Sequence, residues 1–178
     1  MELIACITAD HDEAIAQFEQ LAELARDDRR TCDAMRTAVR LTCGIKIHAH
    51  AEEKVIYEAM RERGDRLAAF SREGRYEHQM LEMLLDRLLV QRPGPELSAI
   101  LKVARDQFEH HAREEEEVVM LPAFEALLEA SEVVQLAEEF RVEQRRIRPM
   151  IERSVGPAPR ATSDGRGHHG LHISHHRR

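Results

Sequence analysis

The chain has 178 residues and a net charge of −7, with 33% charged and 43% hydrophobic residues. This composition is typical of one globular domain in water, and no run of about 18 apolar residues predicts a membrane span. Residues 160–178 hold four Arg and one Asp, which leaves a net charge of −10 on the first 159 residues. Such an acidic body disfavours direct binding to nucleic acid and suits the attraction of cations.

The cysteines and the N-terminal sequence indicate the cell compartment in which we expect the protein. Cys6, Cys32 and Cys43 are an odd number of cysteines without a framework spacing or a CxxC motif, which favours reduced thiols. The N-terminus has no basic segment followed by an apolar run, so we expect no signal peptide. We therefore expect a cytoplasmic protein. Glycine-rich phosphate loops and hydrolytic Ser-His-Asp or Cys-His patterns are missing, which argues against nucleotide and hydrolytic chemistry.

Helix-forming residues dominate the chain and runs of β-branched residues are missing, so we expect helices throughout. Polar breaks, Gly64 and the segment Pro93-Gly94-Pro95 divide these helices. Pro122 should end or kink one helix, and Ser131 should cap the last. The predicted helices are, in chain order, 3–26, 31–63, a short helix at 65–70, 71–92, 96–120, a helical turn at 123–129, and 131–154.

The last part of the chain differs in composition. From residue 156 onward Gly, Pro, Ser and Arg dominate and the apolar period is lost, which predicts a disordered tail over 156–178 after a helical domain over 1–155. Five of the eleven histidines lie in this tail. A histidine-rich tract can bind metal loosely, or can be an accident of a disordered end.

Four predicted helices each place one histidine on the apolar stripe that should face the interior. In the second helix the stripe passes through Leu41, Ile45, His48, Glu52 and Val55. An imidazole and a carboxylate one turn apart in a core are costly to bury unless something binds them. The four histidines on these stripes are His11, His48, His78 and His111.

The carboxylate that accompanies the stripe histidine of 96–120 has three candidate assignments. The phase of the stripe selects His111 with Glu115, and the pair His110 with Glu114 has the same spacing but is rotated about 100° off the stripe. The third assignment pairs His111 with Glu116, because aligning HAHAEEKVIY with HHAREEEEVVM at their Glu-Glu-apolar segments sets Glu116 against Glu52. That pairing requires a π-bulge. We rank Glu115 first, Glu116 second and Glu114 last.

Four inward imidazoles and two inward carboxylates on four helices are the ligand set of a metal pair inside a bundle. A carboxylate can bridge two ions with its two oxygens. At most four protein bonds then reach each ion, which leaves open positions for a small molecule such as O2, peroxide or nitric oxide. His50 lies about 200° and Tyr57 about 180° around the helix from His48, so neither is expected to reach the ions.

Four motifs in this order resemble the hemerythrin-like, or HHE cation-binding, family over roughly residues 3–154. They are ADHDEAI, HAHAEEKVIY, YEHQM and HHAREEEEVVMLP. The resemblance implies an all-α, up-and-down four-helix bundle around a non-haem di-iron centre, to which this chain adds a C-terminal helix and the tail. It implies two iron ions with an oxo or hydroxo bridge. The implied terminal ligands are His11, His48, His78 and His111, and the implied bridges are Glu52 and either Glu115 or Glu116.

The third helix departs from the oxygen-carrying members, which place two histidines one turn apart there. In this chain the residues one turn from His78 are Gly74 and Glu82. Glu82 could still bind an ion or support a ligand from outside. The missing histidine opens a further position on the metal pair. The open position argues against reversible carriage of oxygen as the function. It favours a resemblance to family members that handle nitric oxide, peroxide or iron.

The sequence therefore predicts a di-iron protein that binds or senses a small oxidant: O2, nitric oxide or peroxide. The alternatives are an enzyme that consumes peroxide or nitric oxide, an iron donor or buffer for stress repair, and a zinc-stabilised bundle that contacts other proteins. We expect neither nucleic acid nor a membrane as a partner, and the sequence indicates no particular protein partner.

Overall fold

The computed structural model describes residues 3–157, and helices are the regular structure of this part of the chain, which has no strand. A short 3-10 helix, Asp28–Arg30, precedes the second helix, and a π-helix, His110–Met120, joins the fourth to the fifth. None of the described helices combines the length and apolarity needed to cross a bilayer. The α-helices are α1 (Leu3–Leu24), α2 (Thr31–Arg61), α3 (Asp65–Leu88), α4 (Pro95–Glu109), α5 (Leu121–Glu125) and α6 (Ala130–Val155).

The π-helix continues α4 into α5, so these three elements form one continuous rod. Helix α1 packs against α2, α2 packs against α3, and α3 packs against the rod, which also contacts α1. Short connections make neighbours antiparallel, and each helix buries one apolar stripe against the others. Helix α6 packs outside this bundle along α2, with further contacts to α1. The structure thus confirms the predicted all-α four-helix bundle with an additional C-terminal helix.

Two apolar clusters fill the bundle, and a polar layer separates them. One cluster contains Phe18, Leu41 and Leu85, and the other contains Phe124 and Phe140. The layer between them holds four buried histidines and two buried glutamates on α1, α2, α3 and the π-helix. The bundle therefore supplies a dry, rigid frame for a group of ionisable side chains, which is costly to build unless these groups have a partner.

Some predicted boundaries are wrong. Residues 65–88 form one helix rather than two, because Ser71 is buried and its hydroxyl donates to the Ala68 carbonyl inside the helix instead of capping a new one. Glu129, not Ser131, caps α6, through a capping box with Glu132. The predicted tail lies outside the described residues from 158 onward.

Candidate metal centre

The π-helix decides which carboxylate of the acidic run 114–117 points inward. Its amides bond to carbonyls five residues earlier, so residues five apart lie above one another, as residues four apart do in an α-helix. Glu116 therefore lies under His111, with a side chain that is 1% exposed, whereas the Glu115 side chain is 32% exposed. The prediction that Glu115 is the inward carboxylate below His111 is therefore wrong. The inward residue is Glu116, the alternative that required a π-bulge.

The remaining candidates of this segment lie on its outer side. The half-exposed His110 has its Nδ1 2.8 Å from a Glu114 carboxylate oxygen and its Nε2 3.2 Å from one of Glu115. Glu115 belongs to an outer group with Glu77 and His111. The structure therefore does not bring His110 or Glu114 to the buried layer, and it leaves Glu115 at the rim of that layer.

The four buried histidines form two pairs whose Nε2 atoms point at each other. Nε2 of His11 lies 3.2 Å from Nε2 of His48, and Nε2 of His78 lies 3.0 Å from Nε2 of His111. Two nitrogens that bind one ion at about 2.1 Å are separated by roughly 3 Å, so each pair has the spacing of two ligands to a common ion.

The two buried glutamates lie between the histidine pairs. Oε2 of Glu116 is 3.3 Å from His11 Nε2, and its Oε1 is 3.3 Å from His111 Nε2. Oε2 of Glu52 is 3.6 Å from Nε2 of both His48 and His78. Each carboxylate thus contacts one histidine of each pair, which is the arrangement a bridging carboxylate needs.

Three carboxylate oxygens in this layer are buried without a hydrogen-bond partner: both oxygens of Glu52 and Oε2 of Glu116. Glu52 is 0% exposed, so water does not solvate its charge. An ionised carboxylate in such surroundings costs several kcal/mol unless a cation or a donor compensates it. Metal ions between the imidazoles and these oxygens would satisfy all three. The residues present therefore fit a pair of cations.

A second set of carboxylates holds the outer nitrogens of the histidines. Nδ1 of each histidine lies 2.7–3.2 Å from a carboxylate oxygen on a neighbouring helix. Such partners fix the ring orientation and leave Nε2 for an ion. The contacts run from helix to helix around the bundle and close a ring. The four outer contacts are Asp10 to His48, Glu53 to His78, Glu77 to His111, and Glu117 to His11.

The sequence analysis missed these four outer acids, although the chain carries a signal for them. Each acid is the direct sequence neighbour of a buried residue of the layer: Asp10 of His11, Glu53 of Glu52, Glu77 of His78, and Glu117 of Glu116. A residue one position along a helix is rotated by about 100°, which turns it from the interior toward the adjacent helix.

The acidic side chains in and around the layer favour positive charge inside it. Burial lowers the pKa of His48, but the hydrogen bond to Asp10 and the nearby charge of Glu52 outweigh it and raise the pKa to about 10. Burial likewise opposes the charge of His111, yet Glu116 raises its pKa well above the usual value. Burial raises the pKa of Glu116, but His111 and His11 lower it well below its usual range. The layer therefore keeps Glu116 ionised and favours positive charge on its imidazoles.

Tyr57 reaches the layer, contrary to the expectation from its position on α2. Its hydroxyl donates to Glu116 Oε1 at 2.7 Å, and its ring stacks on His78 with centroids 5.6 Å apart. Gly74 makes room for it, because a Cβ there would collide with the hydroxyl and lie 2.9 Å from Cζ. The chain thus places a phenol against Gly74, one of the two residues that lie one turn from His78.

Glu82 and His50 lie outside the layer and pair with each other. The half-exposed His50 has its Nε2 3.2 Å from Glu82 Oε1, and Glu82 also lies 3.8 Å from Lys46 Nζ. The outer partner of His78 is Glu53 rather than Glu82, with 3.0 Å between the two atoms. Glu82 therefore does not take the place of the missing histidine.

The variant Tyr57→Phe removes the hydroxyl that donates to Glu116 while keeping the ring on His78. We expect the metal-free protein to lose about 1.5–3 kcal/mol in its free energy of unfolding, since the bond joins a buried donor to a charged acceptor. Urea denaturation followed by circular dichroism measures this loss. A change below about 0.5 kcal/mol would show that Glu116 finds another donor.

Comparison with known proteins agrees with this arrangement. The family described as "Hemerythrin HHE cation binding domain" matches residues 2–119, which contain all six residues of the buried layer and end before α6. No curated protein and no solved structure gives a significant match. The chain belongs to the hemerythrin HHE cation-binding domain family.

Proposed function

We propose that the buried layer holds two metal ions, one between each pair of histidines, and that both buried glutamates bridge them. The observation that carries this proposal is Glu52, a fully buried carboxylate whose two oxygens lack a donor among four converging imidazoles. The proposed terminal ligands are His11, His48, His78 and His111, and the proposed bridges are Glu52 and Glu116.

The proposed ions are non-haem iron. Imidazole and carboxylate donors suit iron, and carboxylate-bridged pairs in helical bundles are commonly di-iron. When bound, such a pair supplies redox chemistry toward a small oxidant at its open coordination positions. The resemblance to hemerythrins favours iron over manganese and zinc.

The function we propose is the binding or sensing of a small oxidant: O2, nitric oxide or peroxide. The two apolar clusters flank the layer, and the outer carboxylates hold each imidazole in a fixed orientation. A site held in this way admits a diatomic molecule or peroxide without rearranging its ligands.

Turnover of peroxide or nitric oxide is a second candidate, and Tyr57 favours it. Burial and the charge of Glu116 raise the pKa of Tyr57 well above 10, so the phenol keeps its proton beside the proposed bridge. Reduction of an oxidant consumes protons, and this hydroxyl is a protic group within hydrogen-bonding distance of the layer.

Metal analysis and the ultraviolet–visible spectrum test the proposal. We compare the full chain with a variant in which the five tail histidines are replaced by Gln, so that loosely bound tail metal is counted separately. About two irons per chain in both proteins, with an oxo-bridged ferric band, would support the metal pair. A stable spectral change on adding peroxide favours binding, and sustained oxygen release favours turnover. Tightly held zinc, or no metal, contradicts the redox proposal.

A matched pair of histidine variants tests the assignment on α2. His48→Ala should lose most of the metal and the stability that metal adds, because its Nε2 faces the ion position. His50→Ala should keep the metal, because that half-exposed ring pairs with Glu82. Metal content and thermal unfolding measure both effects. A full metal complement in His48→Ala would contradict the proposed ligand set.

A further inference from the structure

A pocket of about 560 Å³ lies between α1, α2 and α6, on the side of the His11–His48 pair. Its inner end is formed by Asp10, His48 and Phe108. On the opposite side, near Glu77, the cavity beside the layer measures only about 10 Å³, room for one water at most. The larger pocket exceeds what a diatomic molecule needs and falls in the range of sites for small organic ligands.

The pocket has aliphatic side chains from α1 and α2 in its lining and a gap in the surface of α2. Val39, Ile45 and Ile47 of α2 and Ala14 of α1 supply aliphatic walls. Gly44 also lines the pocket, and a Cβ added there would meet no atom within 4 Å. The absent side chain therefore leaves space beside aliphatic walls, which suits the apolar body of a ligand.

The inner end of the pocket offers a hydrogen-bond acceptor. His48 and Gln144 both contact Oδ2 of Asp10, which leaves Oδ1 as a further acceptor at the inner end. A ligand that donates a hydrogen bond would satisfy this oxygen.

Both arginine side chains of the pocket are exposed to solvent. Arg40 donates to Gln20 and to Thr37, and Arg148 lies 3.7 Å from a carboxylate oxygen of Glu152. Three carboxylates also line the pocket, and an anionic group at the inner end would meet the carboxylate of Asp10. The Asp10 end of the pocket therefore favours a neutral or cationic donor over an anionic ligand.

We propose that this pocket binds a small amphipathic organic molecule with an apolar body and an amine or hydroxyl donor, directed at the Asp10 end beside the metal centre. Helix α6 forms one wall through Gln144 and Arg148, and it lies beyond the stretch that matches the family. The proposal goes beyond the binding of a small oxidant and stands whether or not the metal assignment holds.

The test uses two matched probes, 4-phenylbutylamine and 4-phenylbutyrate, on the full chain. Cys43 lines the pocket and is a free thiol, so a bound probe should slow its alkylation by iodoacetamide. Cys32, a free thiol outside the pocket, is the internal reference. We expect the amine at saturation to slow Cys43 alkylation by at least about fivefold relative to Cys32, and the carboxylate to bind at least about tenfold more weakly.

Two variants of one residue locate the binding. Gly44→Phe should fill the gap and abolish protection of Cys43 by the amine, whereas Gly44→Ala should keep it. Metal content is measured in parallel, so that a failure of the metal assignment is recognised separately. The proposal is overturned if the amine does not protect Cys43 in the unmodified protein, if the carboxylate binds equally well, or if protection survives in a folded Gly44→Phe protein.

Discussion

Replacing Glu116 by Gln is expected to remove most of the bound metal without unfolding the protein. The carboxylate contacts one histidine of each pair through its two oxygens, so the variant removes a charge and a bridge from both proposed ion positions. We expect the metal content to fall from about two ions per chain to less than one. The metal-dependent part of the stability, about 4 kcal/mol for each ion at a thousandfold excess over its dissociation constant, should be lost as well.

The metal-free Glu116→Gln protein should nevertheless stay folded. An amide is less costly to bury than a carboxylate, and it can still accept the hydrogen bond from Tyr57. Thermal unfolding with and without added ferrous iron, together with metal analysis, separates loss of metal from loss of fold. An unfolded protein in the absence of metal would indicate a structural rather than a metal-binding role.

The neighbouring variant Glu115→Gln is the matched control. Glu115 lies one position along the same π-helix, and its side chain is about one-third exposed. We expect it to keep the full metal content and the full response to iron. If Glu115→Gln lost metal and Glu116→Gln kept it, the placement of the proposed bridge would be wrong.

Replacing Gly74 by Ala is expected to destabilise the protein by about 1–3 kcal/mol, although alanine is the better helix former. The new methyl group would overlap the Tyr57 hydroxyl and lie 2.9 Å from its Cζ. The Tyr57 ring is fully buried against His78, so it cannot move without disturbing the layer. The hydroxyl should therefore lose its bond to Glu116, and urea denaturation of the metal-free protein measures the cost.

Gly44→Ala serves as the matched helix-glycine control for this experiment. Its Cβ would meet nothing within 4 Å, so only the helix preference of alanine acts. We expect a gain of about 0.5–1 kcal/mol. If Gly74→Ala were equally stabilising, the close approach of Tyr57 would not constrain position 74. The pair thus separates steric overlap from backbone entropy.

Much of the site could be predicted from the chain because its signal is local. A histidine in phase with an apolar stripe predicts its own burial, since the helical repeat fixes which residues share a face. This is why His11, His48, His78 and Glu52 were assigned to the interior without ambiguity. The pairing of His111 with Glu115 rather than Glu116 failed for the same reason, because an α-helical repeat was applied to a segment that forms a π-helix.

The sequence by itself determined the helices, their buried faces and the histidine on each, because these follow from the repeat of single helices. Only the tertiary structure decided the features that join different helices: the ring of outer carboxylates, the entry of Tyr57 over Gly74, and the pocket under α6. These contacts depend on the rotation and spacing of neighbouring helices, which packing sets and no local pattern records. The inward turn of Glu116 belongs with them, because its buried carboxylate gains partners from two other helices, His11 on α1 and Tyr57 on α2.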